Sequence, residues 1–246
     1  MRSFRISVAL SLAILGLPTA GLAQGYQVQP MVATIEPSGA NARLTMSIKN
    51  TGAVPITLEM TPFRATADEA GTPTRVDEEK DILLFPPQAV LGPGKEQAVQ
   101  VRYIGDPSLA EARMYGVRVS QLPVTAQGMA GSSGAASDVK VSFNFLSHIV
   151  VSPAAARPAV QVEDAGRAPN GDLLLRITNT GPGIAILGTS QLKLADGAGK
   201  TVTLDPDRLK AGDFGALMPR QARRGLVASK DVAGLVGPIK PTLTLQ

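Results

Sequence analysis

The sequence predicts an all-β protein of two β-sandwich domains, and three observations predict it. Residues 44–52 (Leu-Thr-Met-Ser-Ile-Lys-Asn-Thr-Gly) return later as residues 173–181 (Leu-Leu-Leu-Arg-Ile-Thr-Asn-Thr-Gly). Each copy alternates apolar residues mainly at every second position and stops at an Asn-Thr-Gly turn, as a half-buried strand does, with Gly expected to supply a positive φ. Between residues 27 and 124, short strand-like runs alternate with turn signals, and no long segment of helical period appears. The third observation is a strongly alternating run at 139–151, where Val139, Val141, Phe143 and Phe145 are interleaved with Lys140, Ser142 and Asn144.

Taken in order, the runs of the first half are 28–35, 43–49, 56–63, 82–85, 97–104 and 114–122. Pro86-Pro87 and Gly92-Pro93-Gly94 interrupt the chain between them. With 139–151 they make about seven short strands in roughly 120 residues, the pattern of an immunoglobulin-like sandwich. Residues 126–137 are almost wholly Gly, Ala and Ser and read as a flexible loop. Residues 153–158 read as a short stiff linker. From 159 to 246 the strand pattern repeats at lower amplitude, richer in Gly and Pro, with Phe214 as its only aromatic.

Residues 1–23 read as a secretory signal peptide. Arg2 and Arg5 form a basic start, 8–18 is an apolar run too short to span a bilayer, and Gly21 and Ala23 occupy the −3 and −1 positions of a cleavage site. Cleavage after Ala23 leaves an exported chain from Gln24, with domains at 24–152 and 159–246. No later stretch reaches the length of a spanning helix, so no membrane insertion is expected after leader removal. Taking Arg2 and Arg5 from the 24 basic residues, against 20 acidic, lowers the formal charge from +4 to +2. The basic residues are scattered among few aromatics, which argues against nucleic acid as a partner. With no Cys, the fold must rest on its cores without disulfides.

Catalytic groups are scarce. One His and no Cys cannot assemble a transition-metal site, and His148 lies inside a strand with no Gly-x-Ser-x-Gly elbow elsewhere. Gly181-Pro182-Gly183 lacks the Lys-Ser/Thr ending of a phosphate loop, and residues 77–81 lack calcium-loop spacing and read as a solvated loop. The sequence therefore predicts a binding protein, not an enzyme, and no cofactor.

Several segments belong together: Ile48-Lys49-Asn50-Thr51-Gly52, Phe85-Pro86-Pro87, Leu91-Gly92-Pro93-Gly94, Gln100-Val101-Arg102, Arg113 with Tyr115, Leu122-Pro123, and the loop and alternating strand ending at Ser152-Pro153. In their order and spacing they resemble the PapD-like periplasmic chaperones of the chaperone–usher pathway. The resemblance is strongest over 24–153. It implies two immunoglobulin-like domains in an L-shaped, boomerang arrangement in the periplasm. It also implies pilus or fimbrial subunits and an outer-membrane usher as partners, served without ATP. The function implied is donor-strand complementation, in which the chaperone lends the strand 139–151 to fill the open groove of an immature subunit. Val139, Val141, Phe143 and Phe145 would enter the subunit's pockets; the alternative is an ordinary core strand.

Two basic anchors that hold a subunit's C-terminal carboxylate in such chaperones fall here at His148 and about Val32, so neither is kept. His148 either serves as a weaker, protonation-dependent anchor, with capture strengthening as pH falls from about 8 to 6, or is a satisfied strand residue. Arg102, Arg113 and Arg118 are candidates for the missing Arg or for ion pairs between the domains. Ser152 stands where an interdomain charge network has a basic residue, so that network is expected to be absent or rebuilt. The competing function is a structural immunoglobulin-like module or pilus subunit, distinguished by head-to-tail polymerisation.

Overall fold

The computed structural model describes residues 25–122 and 143–245. The first domain contains β1 (Tyr26–Gln29), β2 (Val32–Ile35), β3 (Arg43–Asn50), β4 (Ile56–Ala67), β5 (Pro73–Asp77), β6 (Ile82–Phe85), β7 (Gln88–Leu91), β8 (Glu96–Tyr103), β9 (Arg113–Leu122) and β10 (Asn144–Val151). One sheet has the order β1-β3-β8-β6; the other runs β2-β10-β9-β4-β5, with β7 also on β4. Alternate residues of both sheets point inward, and Met46, Ile48, Leu58, Val99, Val101, Val117, Val119 and Ile149 are completely buried between them.

The second domain contains β11 (Val160–Arg167), β12 (Leu173–Asn179), β13 (Ala185–Ile186), β14 (Gln191–Ala195), β15 (Thr201–Leu204), β16 (Ala216–Leu217), β17 (Ala222–Val227) and β18 (Lys240–Thr244). Its sheets are β11-β12-β17, β15-β14-β18 and the short pair β13-β16. They enclose an aliphatic core in which Leu173, Ile177, Leu194, Leu217 and Val227 are completely buried. The signal-peptide reading of 1–23, the loop 126–137, Val139 and Val141 lie outside the described residues.

The repeated motif occupies equivalent places, ending β3 and β12, but Asn and not Gly makes its turn. Asn50 is fully buried; its Nδ2 donates to the carbonyls of Val54 (2.8 Å) and Leu91 (3.0 Å), and its Oδ1 accepts from Gly52 N–H (2.9 Å). Asn179, equally buried, donates to the carbonyls of Gly183, Leu217 and Met218 and accepts from the N–H groups of Gly181 and Ala159. Neither Gly52 nor Gly181 has a positive φ. Gly181 is small for another reason: a Cβ there would stand 2.4 Å from the Arg157 carbonyl oxygen.

A second expectation is also corrected. Residues 28–35 form two strands in different sheets, with β1 on β3 and β2 on β10. Pro30 has no N–H to donate to a ladder, and the chain changes sheets there. Nor is 77–81 merely a solvated loop: Asp77 closes β5 opposite Phe63, and Asp81 accepts a hydrogen bond of 2.6 Å from Tyr115 Oη.

Candidate functional site

β10 lies between β9 and β2, but the two pairings differ in length. Against β9 it is antiparallel over its whole length, Asn144–Val151 facing Ser120–Arg113. Against β2 it is parallel and paired only from His148 to Val151. His148 N–H donates to the Met31 carbonyl (2.9 Å), so its peptide groups face β2. Peptide groups alternate along a strand, so those of Leu146 and Asn144 face the same way, where no strand of the described residues pairs with them. Among the described residues the upstream half of β10 is thus an open edge (an arrangement that invites pairing with another chain).

Phe143 precedes this edge with 41% of its surface exposed. Phe145 is half-buried against the core and meets Tyr26 edge-on at 4.8 Å between ring centroids. Tyr26 Oη lies 2.7 Å from the Val119 carbonyl and 2.8 Å from that of Phe143. Burial, partly offset by a backbone hydrogen bond, pushes its pKa up to about 12, so it stays a neutral donor. The odd-numbered face of β10 points into the sandwich at Ser147, Ile149 and Val151, with Ser147 Oγ donating to the Pro30 carbonyl (2.7 Å). A strand lent from this edge would therefore extend the face that also fills the chain's own core.

The other face of β10 looks into the junction of the domains. Val32 and His148, far apart in sequence, stand directly opposite each other across the β2–β10 pair. Val32 is exposed. The ring of His148 meets Phe63 of β4 edge-on (5.8 Å, 84°) and Phe214 of the second domain (6.2 Å, 59°). These belong to an apolar cluster of Phe63, Ala65 and Met114 against Phe214, Ala216 and Met218. In the free chain, burial, reinforced by Arg75, lowers the His148 pKa below its ordinary value.

The three candidate arginines have separate places within the first domain. Arg102 is exposed on β8, in the opposite sheet. Arg113 approaches Asp81 at 3.8 Å, and Arg118 pairs with Asp77 at 2.9 Å, both within the first domain. The charges that cross between domains come from residues the sequence did not single out. Arg220 pairs with Glu111 at 2.9 Å, while Arg176 and Arg224 approach Glu69 at 3.5 and 4.0 Å. Backbone bonds add to them: Arg224 N–H to the Glu69 carbonyl (2.7 Å), Phe214 N–H to Gly71 (3.1 Å) and Ala112 N–H to Pro182 (2.8 Å).

Arg223 is 1% exposed, and its guanidinium donates to the carbonyls of Ala211, Phe214 and Ala216, fixing the loop that presents Phe214. Beside the junction lies a cavity of about 530 Å³ lined by Arg64, Glu111, Arg113, Met218 and Gln221. In the sequence, the sole aromatic of the second domain was a signal for Phe214. Nothing comparable marked Arg223 among its neighbouring basic residues.

An all-β chain of two sandwiches joined in this way has the fold of the PapD-like periplasmic chaperones of the chaperone–usher pathway. No protein-family model and no curated protein matches the sequence. Among solved structures, the chain resembles the class 5 fimbriae chaperone CfaA with a TM-score of 0.59, covering 90% of this chain and 99% of that one at 9% identity. It also resembles a chain of the CsuC–CsuE chaperone–tip adhesion subunit pre-assembly complex from archaic Csu pili of Acinetobacter baumannii (TM-score 0.53, 81% and 89% covered, 13% identity). The E. coli chaperone DraB is similar at 0.51, with 90% and 96% covered and 15% identity. At these identities the likeness is one of fold.

Proposed function

We propose that this chain is a periplasmic chaperone that binds, stabilises and delivers pilus subunits by lending them an edge strand. The observation that carries the reading is the open edge of β10, with the peptide groups of Asn144 and Leu146 turned outward and Phe143 exposed beside them. An incomplete sandwich could continue its ladder along this edge while alternate side chains fill its core. Val139, Val141, Phe143 and Phe145 are the proposed donor residues, each contributing roughly 1.5–3 kcal/mol where fully buried. The similar solved structures include a chaperone–tip adhesion subunit complex, which agrees with this partner class. An outer-membrane usher, and export of the chain to the periplasm after cleavage at Ala23, belong to the same reading.

His148 and Val32 mark the level of the carboxylate anchor in this reading. With the His148 ring enclosed by Phe63 and Phe214, strand pairing supplies most of the grip. The test is a pull-down from a periplasmic extract with the parent protein and a Val141→Asp, Phe143→Asp variant. Capture of a small β-rich subunit by the parent and its loss in the variant supports the reading. Equal capture by both removes strand donation; capture by neither, or head-to-tail polymerisation of the pure protein, replaces the reading with a structural module.

A further inference from the structure

His148 is the one titratable ring in the apolar cluster that Phe63, Ala65 and Met114 form with Phe214, Ala216 and Met218 between the domains. Its position depends on a missing side chain. Gly116 of β9 stands between Phe63 and His148 in the sheet register, and a Cβ there would come within 2.3 Å of Phe63 Cζ. The absence of that atom lets the Phe63 ring lie across β9 and reach the imidazole. From the other domain, Phe214 covers the same ring, on a loop held by the Arg223 guanidinium at its carbonyl (2.6 Å). The Nε2 atom of His148 is sealed from solvent and has no hydrogen-bond partner. Neutral imidazole can leave one nitrogen bare as an acceptor, but imidazolium carries N–H on both nitrogens and requires a partner or water at each.

The charges around the ring offer no such partner. Arg75 of β5 is the charged group that acts on it, with the unfavourable sign. Asp77 of β5 is engaged by Arg118 of β9. On β2 the facing residue is Val32; on β4, Thr61 and Ala65 flank Phe63. Asp213, next to Phe214, is exposed, and the Arg223 guanidinium is spent on carbonyls.

We propose that His148 is a proton-operated clasp between the two domains. As neutral imidazole it is wedged between Phe63 and Phe214 and holds the junction closed; as imidazolium it withdraws toward water and gives up its contact with the Phe214 ring. The closed junction disfavours the proton, so the open state binds it better. Closure is then fully supported above the ordinary His pKa of about 6.5 and weakens as pH falls through that value. The bonds from Phe214 N–H to Gly71 and from Arg224 to Glu69 carry no titrating imidazole and persist, so acid loosens the junction without separating the domains. The clasp is a property of the free protein and rests on no reading of what β10 binds.

The chain suits the test because it has one His and no Cys. In protein purified from cells expressing the full chain, the imidazole resonances of His148 are followed by NMR from about pH 8 to pH 5. Spin labels at Lys49→Cys and Lys193→Cys, exposed positions on β3 and β14, report the interdomain distance over the same range. The expected result is an imidazole midpoint below about 6.5 and a shift to longer, broader distances with the same midpoint. Far-UV circular dichroism stays unchanged, and the pH response is lost in His148→Phe.

The proposal is overturned by an imidazole midpoint at or above the ordinary value, by distances that do not follow the imidazole, or by a His148→Phe variant that responds like the parent. Loss of β structure at the same midpoint also overturns it, because the event is then unfolding. Should His148→Phe be open at every pH, the coincidence of the two midpoints in the parent decides.

Discussion

Replacing Asn179 by Ala removes more from this protein than one polar side chain in a turn suggests. Its amide joins five backbone groups: the carbonyls of Gly183 (2.7 Å), Leu217 (3.2 Å) and Met218 (3.3 Å), and the N–H groups of Ala159 and Gly181 (both 3.1 Å). These tie the start of β11 and the end of β16 to the end of β12. A buried group left unsatisfied costs about 1–3 kcal/mol, and water entry and secondary partners reduce that. Asn179→Ala should therefore destabilise the second domain by roughly 3–5 kcal/mol. The twin substitution Asn50→Ala strips three such bonds from the first domain and should cost roughly 2–3 kcal/mol.

Urea denaturation separates the two effects, because Tyr26, Tyr103 and Tyr115 all lie in the first domain and the chain has no Trp. Tyrosine fluorescence follows the first domain, and far-UV circular dichroism follows both. Asn179→Ala should shift the dichroism transition and leave the tyrosine transition nearly in place; Asn50→Ala should move the tyrosine transition. A loss below about 1 kcal/mol for Asn179→Ala, or a larger loss for Asn50→Ala, refutes the argument that the amide networks anchor the repeat.

Three further outcomes are expected. Gly116→Ala forces its Cβ against the Phe63 ring and, at 2.4 Å, the Ser147 carbonyl; it should cost about 1–3 kcal/mol in urea denaturation and shift the His148 imidazole resonances. Gly212 has φ +83° and would place a Cβ 2.2 Å from the Ala70 carbonyl oxygen, so Gly212→Ala should widen the interdomain distance by small-angle scattering while both cores stay folded. The N–H of Ser229, and then the Asn170 side chain, hold the Asp172 carboxyl below its usual range. The stabilisation is present above the unfolded pKa of about 3.9 and lost as pH falls below it; Asp172→Asn should flatten that part of the acid-denaturation curve.

The strands were legible wherever burial on one face imposes a period of two. That is why 43–49, 82–85, 97–104 and 114–122 nearly coincide with β3, β6, β8 and β9. The recurrence of Leu-x-x-x-Ile-x-Asn-Thr-Gly was enough to predict a second domain of similar plan, since the same pattern of burial and turn chemistry yields the same local structure. It was not enough to assign the chemistry of the turn. Asn and Gly both suit turns, and only the packed carbonyls around Asn50 and Asn179 select the amide as the working group.

What the sequence by itself determined is therefore local: two β-sandwich domains, and one run with an unusually strong alternation. Tertiary structure decided everything that depends on which residues become neighbours across strands. It split 28–35 between two sheets at Pro30, committed Arg113 and Arg118 to Asp81 and Asp77, and set Val32 beside His148. It also enclosed His148 between an aromatic from each domain, where burial disfavours the protonated ring. The physical reason is that periodicity reports how each residue meets water, whereas charge pairing and proton affinity depend on partners brought close from distant parts of the chain.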